Sequence, residues 1–367
     1  MNTQIQDKFT FKNGQTMRNR VVLAPMTICA SEPGGYVSQA DIDFFARRSR
    51  SVGMVITGST YVHPLGKSFA ESFSGAEDDK IEGLSRLAKA IKDQGALAIV
   101  QLYHGGRMVL PDLIDGQPVA PSAVKAPRDY LTEPRALKNA EVEQVIEDFL
   151  SAIRRAIQAG FDGVELHGAN TYLIQQFVSP HSNVRQDKWG GSLNNRLRFP
   201  KTLLKRAKQL VKEEADRPFL IGYRFSPEEI EEPGIQLYDT LQLLEQLIYH
   251  QVDYLHISTS DVWRSSIRDS QDSEPVIQKI IKKINGRVPL IGVGQIKTKQ
   301  DAQRVLDAGI PLFALGKALL LDSDWAEKVV SGREEEVIRT YRDELQADLA
   351  LPTAFVEDAR SYLEGKD

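Results

Sequence analysis

Cysteine occurs once in the 367 residues, at Cys29, so the chain holds no pair for an internal disulfide, no four-cysteine zinc site and no cysteine-held iron–sulfur cluster. The compartment expected from this is reducing. A net positive charge is also lacking. The 46 basic and 50 acidic side chains leave a net charge of −4, so no net positive field holds a polyanion by its phosphates. Nowhere do 18 residues run without a charge or a chain breaker, and the opening MNTQIQDKFTFK lacks the apolar centre of a signal peptide. The expectation is a cytoplasmic protein with no nucleic-acid partner and no membrane partner. The histidines at 63, 104, 167, 181, 250 and 256 are scattered, none in HxxxH spacing, and no metal site is assigned.

What is present is an ordinary globular composition, 41% apolar and 26% charged, arranged in a repeating order. Two short alternating runs flank Asn13-Gly14, a pair suited to a tight turn, and are expected to form a hairpin over 9–17 that acts as a lid or cap, not as core. Eight apolar runs then read as strands: Val21 to Pro25, Met54 to Gly58, Leu97 to Leu102, Gly163 to Leu166, Phe219 to Tyr223, Tyr254 to Ser258, Pro289 to Val293 and Leu312 to Leu315. Helical periodicity follows each one: Gln39 to Arg50, Asp79 to Gln94, Glu141 to Ala159, Asn195 to Glu214, Tyr238 to His250, Pro275 to Asn285, Thr298 to Asp307 and Asp322 to Val330. Strand–helix alternation forces parallel pairing, and eight units predict an α/β fold, a (β/α)8 TIM barrel over 21–332, as one domain spanning 1–367. An open dinucleotide-binding sheet would carry GxGxxG after its first strand, where this chain has Ala24-Pro25-Met26-Thr27. The tail over 333–367 reads as a helical extension, two runs divided by Pro352, packing on the barrel or on a second subunit.

Barrels carry chemistry on the loops after their strands. The fourth strand runs into His167, Asn170 and Tyr172, an imidazole, a carboxamide and a phenol that suit an oxygen gaining negative charge and a proton to be delivered. Arg224 ends the fifth strand, either as a cation for the mouth or as a structural ion pair with a residue of the run Glu228 to Glu232. Gly292-Val-Gly294 and Leu315-Gly316-Lys317 end the seventh and eighth strands, where barrels seat phosphates on backbone N–H groups. Thr27 and Gln101 end the first and third, and both can bond the edge of a planar heterocycle. Flavin mononucleotide matches that footprint.

At these residues the chain resembles the old yellow enzymes, FMN-dependent ene-reductases. The resemblance runs through Asn19-Arg20 to Thr27, Gln101-Leu-x-His104-x-Gly106-Arg107, and Ala159 through His167-Gly-Ala-Asn170-x-Tyr172. It continues in Ser179-Pro180, Asn183-x-Arg185-x-Asp187-x-Trp189, Ser192, Asn195-Arg196 and Gly316-Lys317. It implies that Ala24, Pro25, Met26, Thr27 and Gly58 contact the flavin ring, that Gln101 binds its pyrimidine edge and that Arg224 faces N1 and O2. Gly294, Gly316 and Lys317 would hold the phosphate. His167 and Asn170 would bind the carbonyl oxygen of an enone-type substrate, and Tyr172 would protonate its α carbon after NADH or NADPH has reduced the flavin. The chain departs from the family in Lys317 for arginine, Asn194 for glutamate and Trp189 for tyrosine, and Thr27 stands where one branch has cysteine. A flavin-binding protein without ene-reductase turnover, or an FMN barrel of another reaction class, is the rival reading, and a homo-oligomer is left open.

Overall fold

The computed structural model describes residues 3–365. After the two-residue strands β1 (Phe9–Thr10) and β2 (Thr16–Met17) come β3 (Val21–Leu23), β4 (Met54–Tyr61) and β5 (Leu97–Tyr103). A short pair, β6 (Val119–Ala120) and β7 (Arg135–Ala136), crosses the long proline-rich loop. The remaining strands are β8 (Gly163–Gly168), β9 (Leu220–Phe225), β10 (Tyr254–Ile257), β11 (Leu290–Val293) and β12 (Leu312–Leu315). The eight long-range strands close into a barrel in the order β10-β11-β12-β3-β4-β5-β8-β9, every pair parallel. The fold is a (β/α)8 barrel.

Strand period two sorts the apolar side chains into two cores. Val21 and Leu23 face out against the helices, whereas Val22 and Ala24 join Met54, Ile56, Ile99, Leu220, Tyr254, Ile291, Leu312 and Ala314 inside. The same inward series continues up each strand and turns polar near the mouth: Ile99 is followed two residues on by Gln101, Leu220 by Gly222 and Arg224, and Tyr254 by His256. Periodicity alone thus aims these polar groups at one end of the barrel.

The hairpin caps the barrel as expected, but it does not stand outside the core. Phe11 and Met17 are buried in the inner cluster, and Gln15 Nε2 donates to the Asp162 carbonyl 3.0 Å away, just before β8 begins. It plugs the end opposite the mouth and is part of the core. Three helical expectations also change. The fourth run divides into Leu193–Arg196 and Arg198–Glu214. The eighth shortens to Trp325–Val330, preceded by a separate Lys317–Leu321 helix. Of the two runs in the tail only Thr353–Glu364 is α-helical; the earlier one forms 3-10 turns at Glu334–Glu336 and Asp343–Leu345. This tail packs on the barrel's helices through buried Val356 and Leu363 and a Phe44–Phe355 edge contact of 6.4 Å. Among the described residues no helix is long and apolar enough to cross a membrane.

Candidate active site

The first loop shows how the mouth is shaped. β4 runs past its expected end at Gly58 and slips register between Ile56 and Ser59, a bulge that re-aims the strand. A Cβ on Gly58 would lie 2.5 Å from the Met26 carbonyl oxygen, so glycine is what allows the Ala24–Thr27 segment to cross there. Beyond the slip, Ser59 N–H donates to Thr27 Oγ1 at 3.1 Å. A hydroxyl that accepts there keeps its own proton free to donate elsewhere.

Beneath the mouth lies a buried polar chain. Gln101 Nε2 donates to Glu165 Oε1 at 2.7 Å, and Glu165 Oε2 is 3.0 Å from His256 Nδ1. Burial would raise the Glu165 pKa, but His256, Arg224 and Gln101 together override it and hold the carboxylate below its usual range. Burial, with Arg224 adding to it, pushes the His256 pKa down against the pull of Glu165. Arg224 is buried above this chain, and its Nε has no hydrogen-bond partner in the fold. Among the described residues no ion pair joins Arg224 to the run Glu228 to Glu232, where Glu228 is held by Arg264 and Ser266, Glu229 by Gln175 and Ser179, and Glu232 by Arg268; the opposite charge that Arg224 feels is Glu165. A buried guanidinium N–H without a partner is costly unless a ligand completes it.

At the end of β8 the three catalytic candidates come together. Burial first, then Arg224 and His256, push the His167 pKa well below its ordinary value, so the imidazole is neutral. Its Nδ1 accepts from Ala169 N–H at 3.3 Å, which places the single ring proton on Nε2 as a donor. Tyr172 packs edge-on against the His167 ring at 4.9 Å and the Tyr103 ring at 5.2 Å. Burial pushes the Tyr172 hydroxyl up to about 12, with Arg224 and Arg128 opposing, so it stays protonated at neutral pH. Asn170 and Thr171 both have left-handed backbone, φ 55° and 63°, strained for a β-branched threonine. Gln175 and Gln176 of the following Leu173–Val178 helix hold that turn, one accepting from Thr171 N–H and one donating to its carbonyl.

On the far side of the mouth a cavity of about 680 Å³ runs from Ala24 past Gly294, Gly316 and Lys317 to Arg339 and Tyr362, within the range of small-ligand pockets. Gly294 has φ 113°, and a Cβ there would meet the backbone of residues 259–261 at 2.8 Å. Lys317 Nζ donates to the Tyr362 carbonyl and lies 4.5 Å from that ring's centre, which brings the C-terminal helix to the cavity's edge. Trp189 is buried against Phe177 and Phe199, and Asn194 accepts from Lys201 at the surface, so neither departure lies at the mouth. Glu165 and His256 escaped the sequence reading. Their pairing spans 91 positions, and the only signal was that each occupies an inward position just below a polar strand end.

A closed parallel barrel whose mouth joins a neutral imidazole, an amide and a phenol beside an uncompleted buried cation, with a glycine-backed cavity after its last two strands, defines the class of flavin-dependent oxidoreductases. Residues 7–336 match the NADH:flavin oxidoreductase / NADH oxidase family, and the chain belongs to it. FMN is the cofactor of this family. The chain is 47% identical over 340 residues to the NADH:fumarate oxidoreductase of Klebsiella pneumoniae (strain 342), covering 92% of this chain but only 37% of that protein. It is 44% identical over 332 residues to the probable NADH-dependent flavin oxidoreductase YqiG of Bacillus subtilis (strain 168), covering 90% and 89%. Among solved structures, the old yellow enzyme homologue from Zymomonas mobilis is similar at 25% identity and a TM-score of 0.81, over 96% of this chain and 99% of that one.

Proposed function

We propose that this protein reduces the C=C bond of α,β-unsaturated carbonyl compounds at the expense of NADH or NADPH. When bound, FMN supplies the ring that accepts hydride from the nicotinamide and passes it to the β carbon of the alkene. In this reading Thr27 donates to the flavin edge through its free proton, Gln101 meets the pyrimidine end, Arg224 completes its orphan N–H there, and Gly294, Gly316 and Lys317 hold the phosphate. His167, through Nε2–H, and Asn170, through its amide N–H, bind the substrate oxygen and stabilise the negative charge that develops on it. Each such donor is worth roughly 2.7–4 kcal/mol in the transition state. Tyr172 delivers the proton to the α carbon, and its raised pKa suits an acid that must not ionise beforehand.

The observation that carries the proposal is the neutral His167, its Nδ1 accepting from Ala169 N–H, packed against Tyr172 and in register with Arg224, whose Nε has no partner. Its test is the visible spectrum of the FMN-loaded protein, bleached anaerobically by NAD(P)H and then restored by cyclohexenone. Tyr172→Phe should slow the second half-reaction at least 10-fold while sparing the first. Equal loss of both would remove Tyr172 from proton delivery. A second reading rests on coverage, since the chain spans little more than a third of the Klebsiella relative: electrons from NAD(P)H leave for an acceptor outside this chain. Bleaching by NAD(P)H with no reoxidation by any enone would favour it.

A further inference from the structure

Asn170 can bind a substrate oxygen only if its amide nitrogen, not its carbonyl, faces that oxygen. The two ends of a carboxamide have the same size and opposite hydrogen-bonding character, so packing alone sets the choice poorly. Here the ends of the neighbouring strands hold the residue and its side chain in place. Ser258, directly after β10, approaches Asn170 Oδ1 at 2.8 Å, and since a carbonyl oxygen only accepts, the serine hydroxyl donates. Ser258 is itself fixed by its N–H, which donates to the Phe225 carbonyl at 2.8 Å. Ser226, directly after β9, accepts from the Asn170 N–H at 3.0 Å and so anchors the left-handed residue that carries the amide. Asn170 is exposed at the mouth, and these contacts with the ends of the two strands after β8 orient a side chain that solvent would otherwise leave free to turn.

We propose that Ser258 is a positioning residue for the substrate-binding amide: its hydroxyl donates to Asn170 Oδ1, holds the side chain in place and leaves both amide N–H groups available to an acceptor on the ligand, such as a carbonyl, carboxylate or phenolate oxygen. Ser226 supports this by holding the backbone from which the amide projects. Without the Ser258 hydroxyl the exposed amide loses its anchor, and binding has to draw the competent orientation out of the many the side chain then samples.

The inference rests on Asn170 contacting the ligand, as proposed above, and a double-mutant cycle separates the two. The measurement is the dissociation constant of p-chlorophenol, read from the long-wavelength band it induces in the FMN-loaded protein. Ser258→Ala should weaken binding about 3- to 10-fold, Ser258→Thr should retain the affinity because the hydroxyl remains, and the flavin content of all variants should be unchanged. In an Asn170→Ala background, Ser258→Ala should have no further effect, which a merely structural serine would not obey. If Asn170→Ala binds the phenol normally, the assignment of the site fails. If Asn170→Ala weakens binding but Ser258→Ala does not, or if the two losses add in full, the positioning role of Ser258 is overturned.

Discussion

Lys317 shows how one side chain can be shared between two duties. Its ammonium donates to the Tyr362 carbonyl and covers the Tyr362 ring, yet it also lines the cavity at the ends of β11 and β12 that is proposed to seat the phosphate. An ammonium is a point charge, whereas a guanidinium presents a planar fork to two phosphate oxygens at once. Lys317→Arg is therefore expected to tighten FMN retention by about 3- to 10-fold, measured by equilibrium dialysis, and weaker retention would show that the phosphate lies elsewhere. The candidate residues could be named from the sequence because most of them stand at strand ends. Their protonation was not. That His167 is neutral with its proton on Nε2 depends on a backbone N–H two residues away, and on burial beside Arg224, which no spacing encodes.

At the scale of elements, the barrel strands could be read because strands buried on both faces form unbroken apolar runs between turn signals. Leu312–Leu315 matches its expected bounds, and the others shift by one to three residues at an end. The helices Leu173–Val178 and Lys317–Leu321 escaped notice because six and five residues complete too few turns to show a periodicity. β6 and β7 have two residues each, and so carry no alternation to detect. The bulge in β4 was equally silent, although it determines how close the first loop comes. Gly58→Ala places a methyl group against the Met26 carbonyl oxygen, a backbone atom that can retreat only if the whole Ala24–Thr27 segment moves. The expected outcome is a folded barrel with FMN affinity lowered at least 10-fold, equivalent to about 1.4 kcal/mol, followed by fluorescence titration of the apoprotein. Unaltered affinity would mean that the segment does not contact the cofactor.

For the whole molecule, the buried histidines govern behaviour in acid. His104 is fully buried, and burial followed by His63 lowers its pKa to about 3. Its Nδ1 accepts from the Gly106 N–H at 3.0 Å. Because the unfolded chain titrates its histidines near 6.5, it binds more protons than the native state below that pH, and the stability present above 6.5 is lost progressively as pH falls toward 3. From pH 7.5 to 4.5 this one group should cost roughly 2–3 kcal/mol, read from urea midpoints. His104→Asn, which retains an acceptor but does not titrate, should flatten that dependence, and an equally steep profile would shift the cause to the other histidines. The hairpin at the opposite end has a consequence of its own. With Phe11 and Met17 stoppering the floor of the barrel, that end offers a ligand no way to the interior, and the mouth is left as the entrance. Under the proposed function, the nicotinamide that loads the electrons and the alkene that collects them would share that entrance and take turns.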